Sequence, residues 1–100
     1  MNISKADIVK SIAGRDTGKL FFVLAAQGEF LLLADGKGRK AEAPKRKSSK
    51  HVTLVAQGEG PVAEKIRSNE KITNSELRKA IAAVNGGNLD QGDNTWQNPI

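Results

Sequence analysis

Two apolar runs joined by a short glycine-containing connection constrain this fold more than any other feature. Residues 20–26 read LFFVLAA and residues 30–34 read FLLLA, with Gln27, Gly28 and Glu29 between them. Short apolar runs connected in this way are typical of a β-hairpin. Neither run alternates apolar and polar residues, as a strand with one face in water would. We therefore expect the hairpin to be covered on both faces, by the interior of a small β-structure and by C-terminal helices.

The segment before the hairpin, residues 14–19, reads GRDTGK and predicts a turn. Its two glycines adopt positive φ at little cost, and Arg15 and Lys19 are donors that suit a phosphate group. A nucleotide-binding P-loop needs four residues between its glycines and Ser or Thr after the lysine, whereas three residues and Leu20 stand here. We expect Arg15 and Lys19 to contact an anion, the alternative being a turn whose charges only face solvent. Asp16 is expected to cap the turn or to pair with Arg15 or Lys19.

The positive charge of the chain is concentrated in its first part. The net charge is +5, and residues 1–60 carry eleven Lys or Arg against six Asp or Glu. Within residues 37–51, seven basic residues are opposed only by Glu42. Such a patch attracts polyanions, of which nucleic acid is the most common in a cytoplasm. The plainer alternatives are a solvated loop that protects a sheet edge and a localisation signal.

These residues together resemble the KOW motif, an apolar strand followed by a glycine turn ending in Gly-Lys and a second apolar strand. The matching residues are Val9, Lys10, Gly14, Gly18, Lys19 and Val23. Residues 31–52 are more specifically similar to the KOW-containing large-subunit ribosomal proteins of archaea and eukaryotes and to their small bacterial relatives. The resemblance covers roughly residues 7–55 and implies a small SH3-like β-barrel that binds structured RNA.

On this basis we expect one basic face to contact RNA phosphates. Its predicted residues are Lys10, Arg15, Lys19, Lys37, Arg39, Lys40, Lys45, Arg46, Lys47, Lys50 and His51. For His51, the alternative to RNA contact is a structural role. The three phenylalanines could stack on bases, but packing in the core is the stronger expectation for such residues.

The composition argues against catalysis and against a metal site. The chain has no cysteine and one histidine, so a thiolate metal site, a cysteine nucleophile and a histidine cluster have no residues to form them. We expect no enzymatic activity, no catalytic residues, no metal and no cofactor. No apolar run approaches the length that spans a bilayer, and the N-terminus has no apolar signal core, so we expect a cytoplasmic protein without membrane contact.

The remaining segments complete a mainly β fold followed by helices. We predict strands at residues 8–12, 39–43 and 51–56, and a flexible basic loop at residues 45–50. The last strand should place Val52, Leu54 and Ala56 on one face.

Two helices are predicted, at residues 61–68 and 74–84. Thr73 and Glu76 form a capping box for the second helix. Its apolar stripe, Leu77 to Val84, should pack on its own domain, with a groove of a partner protein as the alternative.

The predicted organisation is a KOW-type, SH3-like barrel at residues 1–58 that includes a basic loop at 37–51. A helical part at 59–87 packs on the barrel, and a disordered tail with Trp96 follows at 88–100. The expected function is RNA binding. We expect the RNA to be ribosomal RNA and the protein to be associated with the ribosome and translation, with ribosomal proteins among its partners. We expect a monomer. A protein-binding module of the transcription or translation machinery is the alternative.

Overall fold

A computed structural model describes residues 3–86 of the chain. These residues form a five-stranded antiparallel sheet followed by two α-helices, which confirms a mainly β fold with C-terminal helices. The strands are β1 (Ile8–Ser11), β2 (Leu20–Gln27), β3 (Phe30–Ala34), β4 (Lys45–Ser48) and β5 (Val52–Ala56), with a 3₁₀ turn at Ser49–His51 before β5. The helices are α1 (Gly60–Arg67) and α2 (Asn74–Gly86).

The predicted hairpin is the centre of the sheet. β2 and β3 pair antiparallel from Phe22 opposite Ala34 to Gln27 opposite Phe30, with a bulge between Val23 and Ala25. The strand order is β4-β3-β2-β1-β5, so β4 and β5 are the two edges and the sheet is not closed.

Both faces of the hairpin are covered, as its unbroken apolar runs predict. One face, the inner face, carries a cluster contributed only by strands: Val9, Phe21, Val23, Leu31, Leu33 and Val52. The opposite, outer face contributes Ile8, Phe22 and Ala34 to a second cluster that includes Ala63 and Ile66 of α1 and Leu77 of α2. The helices therefore cover the outer face, and the inner cluster is formed by the strands themselves, with Ile3 packed against it.

The capping box of α2 is confirmed. The backbone N–H of Thr73 donates to the Glu76 carboxylate at 2.9 Å, and the N–H of Glu76 donates to Thr73 Oγ1 at 3.1 Å. These reciprocal bonds satisfy two donors that the helix start leaves unpaired. Val84 was predicted as the last helical residue, and the helix continues to Gly86.

Two predictions about the segment after β3 are wrong. Residues 39–43 form turns, not a strand, because the Asp35 and Gly36 N–H groups both donate to the Arg39 carbonyl at 2.9 Å and fold the chain back. Residues 45–50 are not a flexible loop: Lys45–Ser48 is strand β4, paired with β3 from Leu33 opposite Lys45 to Phe30 opposite Ser48. An all-polar run offers no apolar alternation that would reveal an edge strand.

The prediction that Val52, Leu54 and Ala56 share a face is also wrong. Leu54 pairs with Val9 and Ala56 pairs with Ile8, so a bulge inserts Val55 as an extra residue in β5. Because opposed residues point to the same face, the bulge moves Ala56 to the side of Ile8 and the helices.

No helix within residues 3–86 is long and apolar enough to cross a membrane. The predicted disordered tail at 88–100, with Trp96, lies outside the described residues.

Candidate nucleic-acid interface

The turn before β2 and the loop after β3 meet at a groove of about 550 Å³ beside α2. We call this the basic groove, because Lys19 from the turn, Lys37 from the loop and Arg78 from α2 all line it. Leu20 and Ile81 contribute apolar surface to the same groove. Three elements that are far apart in sequence thus bring positive charge to one place.

The turn itself has the conformation that its glycines predict. Gly14 and Gly18 have φ of +82° and +91°, values that residues with a Cβ rarely adopt. The Gly18 N–H donates to the Ser11 carbonyl at 2.8 Å, and Thr17 Oγ1 donates to the Gly14 carbonyl at 2.6 Å. These bonds fix the loop from which Lys19 projects with an exposed side chain.

The second loop is ordered by Asp35. One of its carboxylate oxygens, Oδ1, accepts hydrogen bonds from the backbone N–H groups of Lys37 and Arg39, each at 2.9 Å. The acidic group of the groove is therefore engaged with the backbone, and the side chains of Lys37 and Arg39 remain exposed.

Close contact between this loop and α2 requires glycine at position 36. A Cβ there would lie 2.2 Å from the Asn74 carbonyl oxygen, and the residue has φ of +79°. Arg78 Nη1 donates to the Gly36 carbonyl at 2.7 Å, and Asn74 Oδ1 accepts from the Ala41 N–H at 2.8 Å. These contacts hold the loop and Arg78 in a fixed relation to the groove.

Lys45 faces Asp16 instead of solvent. Its ammonium group pairs with the Asp16 carboxylate, whose side chain is 14% exposed, while Lys19 lies farther away at 3.9 Å. The hydrogen bond from Lys45, assisted by the charges of Lys45, Lys19 and Lys47, lowers the pKa of Asp16 below its ordinary value despite an opposing effect of burial. The expected pairing of Asp16 with Lys19 is thus secondary to a partner in β4.

Lys47 is buried, with 9% of its surface exposed. Its Nζ donates to the Ala13 carbonyl at 2.8 Å and lies 3.7 Å from where a Cβ on Gly14 would be. Lys45 and Lys47 are two residues apart in a strand and so share its inner face, where they join edge strand β4 to the turn between β1 and β2. Both were predicted RNA contacts, and both have partners inside the fold.

Arg46 points to the other face of β4 and packs on an aromatic ring. Its guanidinium carbon lies 3.7 Å from the centroid of the Phe30 ring, within the range of a cation–π interaction. Phe30 is 37% exposed, so it differs from Phe21 and Phe22, which are buried as core packing predicts.

Six other predicted contacts have exposed side chains: Lys10, Arg15, Arg39, Lys40, Lys50 and His51. Within residues 3–86 none of these side chains forms a hydrogen bond or a salt bridge. Lys10 lies opposite Leu20 of the groove, on the outer face. Lys50 and His51 lie in the 3₁₀ turn, near the hairpin end, where the Ser49 N–H donates to the Glu29 carbonyl at 2.8 Å.

The predicted patch therefore divides into three groups. Lys19 and Lys37 line the basic groove, Lys45 and Lys47 stabilise the fold, and the remainder are spread around the exposed surface. Sequence reasoning missed Arg78, since a basic residue on a helix gives no sign of the loop it will meet. It also missed the exposure of Phe30, for which the only signal was its position at the end of an apolar run.

No group of three or more His, Cys, Asp or Glu side chains that could hold a metal ion occurs among the described residues. Compared with models of known protein families and with curated proteins, the chain matches none.

Proposed function

We propose that this protein binds structured RNA through the basic groove and the exposed cations around it. The observation that carries the proposal is the convergence of Lys19, Lys37 and Arg78 from three elements on one groove. Cations held by a folded scaffold pay less entropy when they contact phosphate than cations on a mobile loop. The proposed activity is binding alone, without catalysis.

Basic groups outnumber acidic groups at this surface. Asp16 pairs chiefly with Lys45 and lies 3.9 Å from Lys19, and Asp35 keeps its charge while it accepts backbone hydrogen bonds within its own loop. The exposed bases that flank the groove, Lys10 and Arg39, have no anionic partner among residues 3–86. A phosphate backbone supplies the counter-charge at the spacing of successive nucleotides.

We propose further that the open sheet is a KOW-type, SH3-like barrel in which side chains, not a backbone ladder, hold the β4 edge. Two observations support this interpretation. The sheet order places β5 beside β1 in an otherwise consecutive series of strands. Lys45 and Lys47 join β4 to the turn at the end of β1, which draws that edge over the inner cluster.

The RNA of the proposal is ribosomal RNA, and the setting is the ribosome and translation, in line with the sequence resemblance. The protein acts in the cytoplasm as a monomer, with ribosomal proteins as its neighbours. A partner-binding role for the α2 stripe finds no support, because Leu77 is fully buried and Ala80, Ile81 and Val84 pack against the same outer cluster. That stripe serves the protein's own fold.

The test is the affinity of the full chain for a folded ribosomal RNA fragment, measured by filter binding. The variant Lys19→Ala/Lys37→Ala removes two charges from the basic groove. The matched control Lys5→Ala/Lys71→Ala removes two charges from a separate cavity of about 390 Å³, where Glu42 and Glu70 also lie.

We expect the groove variant to bind about tenfold more weakly at 100 mM salt and the control to bind as the wild type does. Equal losses in both variants would mean that only net charge matters, and the groove would be the wrong site. A wild-type protein that binds no RNA would overturn the function itself.

A further inference from the structure

The outer face of the hairpin end carries an exposed aromatic ring beneath an arginine. Phe30 begins β3 and Arg46 lies diagonally across from it in β4, because Phe30 pairs with Ser48 and Leu32 pairs with Arg46. Paired residues of neighbouring strands share a face, so Phe30, Leu32 and Arg46 lie together on the outer face. This is the face to which Ala34 and the helices belong.

The two side chains form a layered pair with an open side. The Arg46 guanidinium carbon is 3.7 Å from the Phe30 centroid, and Arg46 is itself exposed. No carboxylate among residues 3–86 forms a salt bridge with Arg46. A planar cation supported on one side by a ring and open on the other resembles the Arg and aromatic surfaces on which unpaired bases stack.

The pair is also well placed relative to the basic groove. The side chain at Phe30 and the groove residues at positions 35–37 lie at opposite ends of β3, which at about 3.3 Å per residue separates them by roughly 16 Å. A strand of RNA with about 3.4 Å between stacked nucleotides spans that distance in about five nucleotides. Lys50, in the turn that follows β4, adds a cation near this end of the hairpin.

We propose that Phe30 and Arg46 form a stacking site for one unpaired nucleobase, so that the protein prefers RNA with a bulged or looped nucleotide over a continuous duplex. This inference rests on the proposed RNA binding and adds the class of RNA element that the surface takes. The basic groove supplies phosphate contacts that duplex and bulged RNA share, and the Phe30–Arg46 pair supplies the discrimination between them.

The experiment uses the full chain and two RNA hairpins that differ only in one unpaired 2-aminopurine. Affinity is measured for both, and 2-aminopurine fluorescence reports stacking in the bulged RNA. The variants are Phe30→Ala and Arg46→Lys, the second of which keeps the charge and removes the plane. The controls are Leu54→Ala, which truncates another side chain that is 37% exposed, and Arg67→Lys in α1.

We expect the wild type to bind the bulged hairpin more tightly and to change its 2-aminopurine fluorescence. Phe30→Ala should lower the affinity for the bulged RNA about 5- to 100-fold and leave the affinity for the duplex unchanged. Arg46→Lys should act in the same direction, and both controls should bind as the wild type does. Should Phe30→Ala fail to fold, Arg46→Lys alone decides the result.

The inference is overturned if the wild type binds both hairpins equally, or if the Phe30 and Arg46 variants lose affinity for both RNAs alike. In either case RNA binding through the basic groove would stand. If the wild type binds neither hairpin at any salt concentration tested, the proposed function fails first and the stacking site fails with it.

Discussion

Two pairs of lysines in the basic part of the chain have different roles in the fold. One pair, Lys45 and Lys47, lies in β4, and the other, Lys19 and Lys37, lines the basic groove. The β4 lysines lie on the inner face and bond to Asp16 and to the Ala13 carbonyl. The groove lysines are exposed on two turns beside α2. A run of basic residues thus does not define a binding surface by itself, because each cation's role depends on the group that faces it.

The largest expected effect separates binding from folding through salt. If about six phosphates are neutralised, the affinity for RNA should fall on the order of a thousandfold between about 50 and 200 mM salt. The thermal midpoint should change little over the same range, because the Lys47 bond is buried and its acceptor is an uncharged carbonyl. Filter binding and thermal unfolding at each salt concentration provide the check, and an affinity independent of salt would contradict electrostatic binding.

A single substitution in β4 should affect folding. Lys47→Met keeps much of the aliphatic stem but removes one of the two donors to the Ala13 carbonyl, which keeps its bond from Ser11 Oγ at 3.0 Å. The lost hydrogen bond should cost about 0.5–1.5 kcal/mol in the free energy of unfolding. For a domain of this size the thermal midpoint should fall by about 4–8 °C per kcal/mol.

The matched control is Lys37→Met in the groove, which should change the free energy of unfolding by less than about 0.5 kcal/mol. The comparison between the two lysines fails if both substitutions destabilise the protein equally, or if only Lys37→Met does.

Replacing residues 45–47 together by alanine sharpens the same contrast. If residues 45–50 formed the flexible loop that the sequence predicts, the thermal midpoint of this variant would be almost unchanged. The structure instead predicts a lower midpoint, because two internal bonds and the Arg46–Phe30 contact are lost together. Circular dichroism during heating distinguishes these two expectations, and an unchanged midpoint would show that residues 45–47 do not stabilise the fold.

The smallest effect is a dependence of stability on pH. The pKa of Asp16 is lowered in the folded protein, chiefly by the hydrogen bond from Lys45, so its contribution to stability is present above the ordinary carboxyl pKa of about 4 and is lost as the pH falls below it. The pKa of Glu76 is lowered in the same direction, chiefly by its bond to Lys65.

Denaturant unfolding between about pH 6 and pH 3 should therefore show decreasing stability toward acid. The Asp16→Asn variant should show a shallower decrease, since Glu76 still contributes. An unaltered pH profile in Asp16→Asn would show that the Lys45 pair adds nothing measurable to folding.

The parts of this fold that sequence reasoning predicted are those with local signals. Apolar runs on either side of a short turn that contains Gly28 specify the hairpin, and Thr73 with Glu76 specifies the start of α2. Both depend on residues only a few positions apart, so their physics is contained in short segments of chain.

The parts that escaped prediction depend on distant partners. β4 has no apolar alternation, and the bond that anchors Lys47 joins it to a carbonyl 34 residues earlier in the chain. Arg78 meets Gly36 across 42 residues, so its place in the groove follows from how α2 packs on the sheet. Contacts of such separation are decided by tertiary structure, not by local propensity.

The most direct test of the central claim is the reactivity of individual lysines toward acetylation, measured by mass spectrometry with and without RNA. Lys47 should react slowly in both conditions because it is buried. Lys19 and Lys37 should react readily in the free protein and become protected when RNA is bound. Fast reaction of Lys47 in the free protein, together with protection by RNA, would contradict the account, as would continued reactivity of Lys19 and Lys37 in the complex.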